Sequence, residues 1–596
     1  MKTKRLSAFL LASALLLSSF GCQRVDPGEE QKKFNDFLNN EFIETMESDY
    51  TTSHVYLNKP ENFGVSKENI EINLGTRMDM QEQKEEEKKT KETYEQFKKF
   101  KRNALTDTQQ DIYDSIERSA SLYEQMSDDK FDYYASAFES MGGLHYQLPT
   151  LFADWELRNE QDVKDLILLL EDVDDYVDSA IEYTKIQAEK GLLMLDLDSI
   201  ISYCENIVKK GENSSILTSL YDSIDALHLS DTKTSDYKQQ VKKAFAASFL
   251  PAYQNILDTM NTFKKQGEKN AKSLSAFENG KEYYKLLLQQ SIGSDKTPKE
   301  VKKMMEDAFY AHISNIQDIV SNLSDDEELL KALSSSQFPQ TSYTSYEQIL
   351  EDIKKDMFQD FPEVKNLKYN IKDINEEIAS DSGVAAYFNI PSIDGDSIKQ
   401  LRVNPKSSDI KSLSTYSTVS HEGFPGHMYQ YAYLYENIDN NFAKTLINEN
   451  AYVEGYAVYA QYESFKYLDN MNQKLLQLFK ENELASYCLV IGADIGIHYE
   501  GWDLTQFTDY MSEFGFALSK EEAAPLYNQL WANPAAFQPY YVGYEEIIDL
   551  KENAQDKLGN KFKEKDFNTA LLESGIAPFS VVERHIDSYI KRVLQK

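Results

Sequence analysis

Residues 421–427 read His421-Glu422-Gly423-Phe424-Pro425-Gly426-His427, and they hold two of the eight histidines in a chain of 596 residues. Imidazole nitrogens bind zinc, and a site with three protein ligands keeps a fourth position for water. A neighbouring Glu can remove a proton from that water. The stretch therefore predicts a metal centre with His421 and His427 as ligands and Glu422 as general base. Its spacing is not that of the usual HExxH, in which two histidines four apart share one helix face. Here they are six apart, which on a regular helix is about 600°, so they would diverge. Pro425-Gly426 stands between them. Proline removes a backbone donor and glycine relaxes the chain, so a bulge there would bring His427 back to the metal. The alternative is a Pro-Gly turn carrying two unrelated histidines.

Downstream, Glu454 lies in the apolar run Ala451-Tyr452-Val453-Glu454-Gly455-Tyr456-Ala457-Val458-Tyr459. A carboxylate buried in such a helix is costly unless paired or bound to a cation. Glu454 is thus the expected third ligand, in the manner of gluzincin peptidases, which take theirs from the helix after the His-bearing one. The alternative is a solvent-facing Glu between two buried stripes. Asp494 and His498 are four apart and would share a helix face. Asp494 is expected to orient the His498 ring, and His498 to donate to a developing oxyanion. A satisfied core histidine is the other reading. Tyr540, in a stretch (533–543) read as irregular, is a second candidate oxyanion donor. One zinc per chain is the expected cofactor.

Upstream, Val384–Ile390 and Ile398–Asn404 read as two strands joined by the turn signal Ile393-Asp394-Gly395-Asp396. The second strand is expected to offer an edge to an extended peptide. Arg402 and Asn404 on it are candidate substrate contacts, Arg402 otherwise being a solvated strand residue. Before residue 380 the pattern is helical, with apolar residues at three- and four-residue spacing in 162–190, 195–211, 236–266 and 298–321. Residues 80–102 mix Glu and Lys densely and read as a solvated helix face. No linker rich in Gly, Ser or Pro separates the halves. The organisation expected is a helical part over 34–380 that walls a cleft, integrated with a catalytic part over 381–596.

Residues 1–21 form a charged start and a short apolar run, and Gly21-Cys22 follows. That resembles a bacterial lipoprotein leader, with lipid on Cys22 and a polar tether over 22–33; a plain secretory leader is the alternative. The remaining Cys204 and Cys488 read as isolated buried thiols. With 63 Lys and Arg against 99 Asp and Glu, the net charge of −36 argues against nucleic acid or an anionic membrane surface as partner. Membrane contact is expected through the lipid alone, with the protein exported and facing outside the cytoplasm. Nothing in the sequence sets the oligomeric state.

The run His421–Gln430, HEGFPGHMYQ, resembles the HExxPGHxxQ signature of a bacterial domain-of-unknown-function family, DUF885, placed near the gluzincin metallopeptidases and rich in exported lipoproteins. Other matches are 142–149, 280–284, 387–404, the EGYAVY segment 454–459, 494–498 with Gly501-Trp502, Tyr540 with Gly543, 558–559 and 567–578. The resemblance implies a mainly α, multi-helix zincin-like metallopeptidase fold with a small β-sheet next to the motif helix. It implies His421, His427 and Glu454 as ligands, Glu422 as base, and Tyr540 and His498 as transition-state donors. Tyr456, Gln461 and Asn568 depart from the family's usual Trp, Glu and His, which touches activity if either of the last two borders the metal or the substrate. The function expected is a membrane-anchored, extracytoplasmic zinc peptidase acting on short or unfolded peptides. The rival is a non-catalytic surface lipoprotein that binds peptide or protein through a degenerate metal site. A zinc hydrolase of cell-wall peptide or of another amide is a third reading.

Overall fold

The computed structural model describes residues 26–596 except 268–269, 271, 322–329, 332–337, 339, 380–383, 395–397 and 407–408. The leader and Cys22 lie outside the described residues. The helices that bear on the site are labelled in chain order. Helix α1 (Pro27–Ser48) starts inside the stretch read as a tether. Asp26 caps it by accepting from the amides of Gly28 and Glu29, with Pro27 in the first turn, where a missing N–H costs nothing. Phe34, Leu38, Phe42 and Met46 then form one buried stripe at four-residue spacing.

Helices follow through most of the chain. The segment read as 162–190 is two helices, Glu160–Glu171 and Val173–Glu189. They meet at Asp172, whose carboxylate is held by the Leu74 amide and the Arg77 guanidinium. Likewise 236–266 is divided by a π turn at Phe245–Phe249. Among the described residues no helix is long and apolar enough to cross a membrane.

A small sheet stands before the motif. The hairpin is shorter than its sequence pattern, with β2 (Ala386–Asn389) antiparallel to β3 (Lys399–Val403) and Phe388 opposite Leu401. A third strand, β1 (Tyr369–Asp373), pairs parallel to β3 on its other side. Its polar, half-exposed sequence, Tyr-Asn-Ile-Lys-Asp, hides it from a reading by apolar alternation. Because β3 is central, its backbone is committed on both sides, and it cannot offer an edge to a peptide as expected.

Packing does not divide at residue 380. Ile349, Leu350, Ile353 and Phe361 share a core with Tyr416, Val419 and Phe424 around the motif. A second core lies wholly in the first half, over residues 50–263. A third combines Leu288, Val301, Met305 and Phe309 with Leu489, Ile491, Phe507 and Val542, so both halves build it.

The sheet is also tied to the first half by charge. Asp154, which ends helix α2 (Leu144–Ala153), receives the Arg402 guanidinium at 2.5 Å and the Tyr387 hydroxyl at 2.6 Å. Tyr387 and Arg402 are directly opposite on β2 and β3. Both side chains of the ion pair are 12% exposed. Arg402 is therefore neither solvated nor free for a substrate carboxylate. Asn404 is equally committed: buried, it donates to the Ala379 and Val384 carbonyls and accepts from the Lys406 amide.

Candidate metal centre

Helix α4 (Leu413–Glu422) starts where Ser412 Oγ accepts from the Thr415 amide, and it buries Tyr416, Val419, Ser420 and His421. The chain then leaves the helix through Gly423-Phe424-Pro425-Gly426, with a cis Phe424–Pro425 bond, and α5 begins at His427 (His427–Asn437). The expected bulge is thus a complete break. His421 sits in the last turn of one helix and His427 opens the next. The return is tight: a Cβ on Gly426 would lie 1.8 Å from the His421 carbonyl oxygen, so only glycine fits. The Gly426 amide donates to the Ser420 carbonyl, and the Tyr456 hydroxyl to the Pro425 carbonyl.

The break brings the two imidazoles together, with ring centres 4.8 Å apart and planes at 88°. Helix α6 (Asn450–Glu463) supplies Glu454. Its Oε2 lies 3.4 Å from His421 Nε2 and 3.3 Å from His427 Nε2. That oxygen is buried without a properly aligned hydrogen bond. A tetrahedral zinc with ligand bonds of about 2.0–2.1 Å has donor–donor edges of about 3.3 Å. Both Glu454 distances therefore match neighbouring ligands of one cation, and the three donor atoms all lie within 4.8 Å of one another.

Neighbouring groups complete the arrangement. His427 Nδ1 faces Gln430 Oε1 at 3.4 Å, one helical turn on, which leaves Nε2 turned toward Glu454 and able to take a cation. Gln430 carries no metal-ligating side chain to mark it in the sequence; its signal is the three-residue helical spacing from His427. Glu422 Oε1 lies 4.0 Å from His421 Nε2, and its Oε2 accepts the Phe388 amide of β2 at 2.8 Å. This backbone donor had no signal in the side-chain pattern. Tyr540 lies in the first turn of helix α8 (Gln538–Leu558), not in an irregular stretch, with its ring 6.2 Å from that of His421 and near-parallel to it.

The electrostatics follow. Burial alone would lower the His427 pKa, but the Glu454 carboxylate, with Glu422 and Gln430, pushes it up to about 9. Burial would raise Glu454, but His427 and His421 hold it far below the usual carboxylate range. Glu422 is raised, chiefly by burial and further by Glu454, against the pull of both imidazoles and the Phe388 amide. Burial, then Glu454 and Glu422, push the Tyr540 phenol upward, so it stays a proton donor.

Two expected members lie elsewhere. His498 is fully buried in a π turn (Gly496–Glu500), stacked on Tyr284, with Nε2 3.0 Å from the Leu530 carbonyl. None of its described contacts is with the His421–His427–Glu454 group, so it is a core histidine. Asp494 does not orient it by hydrogen bonding, since the two are 3.8 Å apart. Asp494 instead accepts from the Tyr284 hydroxyl, the Ala535 amide and the Gln538 side chain. It thereby fixes the entry to α8 and, through it, Tyr540. Asn568 is buried between the Tyr459 hydroxyl and the Asp360 carbonyl. The departure from His at that position thus falls on a packing contact between helices.

A mainly helical protein with a small sheet and a buried His-His-Glu centre is the class these features define. Residues 64–586 match the family described as bacterial protein of unknown function (DUF885), and the chain belongs to that family. No curated protein matches it. Two solved structures share the fold. One is a "putative lipoprotein" from Colwellia psychrerythraea, with TM-score 0.78 and 17% identity over 94% of this chain and 99% of that one. The other is a "putative lipoprotein of unknown function" from Shewanella oneidensis, with TM-score 0.61 and 16% identity over the same shares.

Proposed function

We propose that this protein is a zinc-dependent metallopeptidase of gluzincin-like type, with His421, His427 and Glu454 holding the metal. The observation that carries the reading is the buried Glu454 oxygen at tetrahedral-edge distance from two imidazole nitrogens. Zinc bound there would supply Lewis acidity, polarising a carbonyl and lowering the pKa of water. The protein's own groups do the rest. Glu422, with its raised pKa, takes a proton from the attacking water and returns it to the leaving amine. The protonated Tyr540 phenol donates to the oxyanion as charge develops. The peptide lies along the outer edge of β2, not β3. The Phe388 amide points away from β3 and is already donated to Glu422, so it holds the base beside the peptide and does not itself pair with it. Short or unfolded peptides are the substrates that can adopt this extended form.

The leader ending in Gly21-Cys22 and the lipoprotein description of both structural relatives support an exported protein, lipid-anchored at Cys22 and facing outside the cytoplasm. Labelled palmitate incorporated by the wild type but not by Cys22→Ser tests the anchor. For the chemistry, Glu422→Gln should keep its zinc and lose about 10²–10⁴-fold in peptide cleavage, whereas His427→Ala should lose the zinc. Undiminished cleavage by Glu422→Gln would sink the mechanism.

A further inference from the structure

A second buried cluster brings metal-ligating side chains together away from the motif. His312 comes from helix α3 (Pro298–Ser321), Cys488 from α7 (Gln473–Ile495) and Glu545 from α8. One donor atom of each lies within 4.8 Å of the others. His312 is 8% exposed and Cys488 3%, and the Glu545 side chain is 12% exposed. The imidazole is oriented as a ligand would be. Its Nδ1 is bound by Glu481 Oε2 at 2.7 Å, while Nε2 faces Glu545 Oε1 at 3.3 Å. Glu481 is itself held, accepting from Asn315 Nδ2 at 3.0 Å. It lies seven residues before Cys488 on α7, about two full turns, so both face the same way. Carboxylate–imidazole–metal chains of this form fix the ring and its tautomer.

We infer that His312 Nε2, Cys488 Sγ and the Glu545 carboxylate form a second site for a divalent transition ion of the zinc class, with Glu481 orienting the histidine. A thiolate, an imidazole and a carboxylate suit zinc and exclude magnesium or calcium, which take oxygen ligands. The site joins three helices. One of them, α8, carries Tyr540 five residues before Glu545, so the ion would fasten the helix that brings Tyr540 to His421. This inference is independent of the peptidase reading, because it needs no turnover.

The test uses the purified full chain, stripped of metal and titrated with cobalt(II). The expected uptake is about two ions per chain, with a near-ultraviolet thiolate-to-cobalt charge-transfer band, since cobalt takes the tetrahedral geometry of zinc sites. The band should persist in the double variant His421→Ala/His427→Ala, in which uptake falls to about one ion, and in Cys204→Ser. Cys488→Ser should lose the band and about one ion, with its helical circular dichroism unchanged. Should that variant not fold, Glu545→Gln, which keeps shape and thiol, should still weaken uptake at least tenfold and shift the band. Uptake of a single ion lost with His427, or titration of the wild type without any thiolate band, would overturn the inference while leaving the first centre standing.

Discussion

Lowering the pH from 9 to 7 should weaken zinc binding at His421, His427 and Glu454 about fiftyfold. A metal ligand must be neutral imidazole, so a protonated ring has to give up its proton before binding. Glu454 pushes His427 up to about 9 in the metal-free protein. Half of the rings are neutral at pH 9 and about one in a hundred at pH 7, so the two units cost about 2.3 kcal/mol. A histidine with an ordinary pKa of about 6.5 would leave the affinity nearly level over the same range. The metal-free protein behaves in the opposite sense. A raised folded pKa contributes stability that is complete below about 6.5 and is lost as the pH rises through about 9. The measurement is a competition titration against a chelator of known pH dependence, from pH 6 to 10 at constant ionic strength. It is best made on Cys488→Ser, so that only the motif site is read. An affinity that stays level between pH 7 and 9 would show that Glu454 and His427 are not coupled as their 3.3 Å separation requires.

Three further outcomes are expected. Gln430→Ala removes the partner of His427 Nδ1 and should weaken zinc binding about 10–100-fold, read by the same competition. Arg402→Ala leaves Asp154 buried without its counter-charge, a loss of about 3–5 kcal/mol. It should lower the unfolding midpoint in urea, and an unchanged midpoint would refute the pairing. In Gly543→Ala the new Cβ would meet the Ala451 carbonyl oxygen at 2.0 Å. The helices α6 and α8, which bear Glu454 and Tyr540, must then separate at about 1–3 kcal/mol. Both the melting temperature and zinc affinity should fall, and a variant matching the wild type in both would contradict so close a crossing.

Much of the centre was legible because its chemistry is local and its residue types are scarce. Two histidines around Pro-Gly, and a Glu inside an apolar helix, pointed to each other without any contact being known. What stayed hidden depended on partners far along the chain. His498 and Asp494 sit at proper helical spacing, yet Leu530, Tyr284, Ala535 and Gln538 take their hydrogen bonds first. Arg402 looked solvated because nothing near it in sequence announces Asp154. Strand β1 was missed because a half-exposed strand lacks the alternation that marks a buried face. The motif's break was anticipated as a distortion, but the extent of the unwinding depends on Gly426 packing against the His421 carbonyl, which spacing alone does not reveal.

The tie between Asp154 and the sheet bears on how the protein can be divided. From Asp154 the connection runs to Arg402, across β3 to β2, and through the Phe388 amide to Glu422. The halves are therefore not exchangeable modules. A fragment of 381–596 would keep every residue of the motif and Glu454, but it would carry a guanidinium shorn of its counter-charge one strand from the amide that holds Glu422. The smallest piece able to hold Glu422 in place includes the helix ending at Asp154, and exchange of halves among relatives should succeed only when Asp154 and Arg402 travel together.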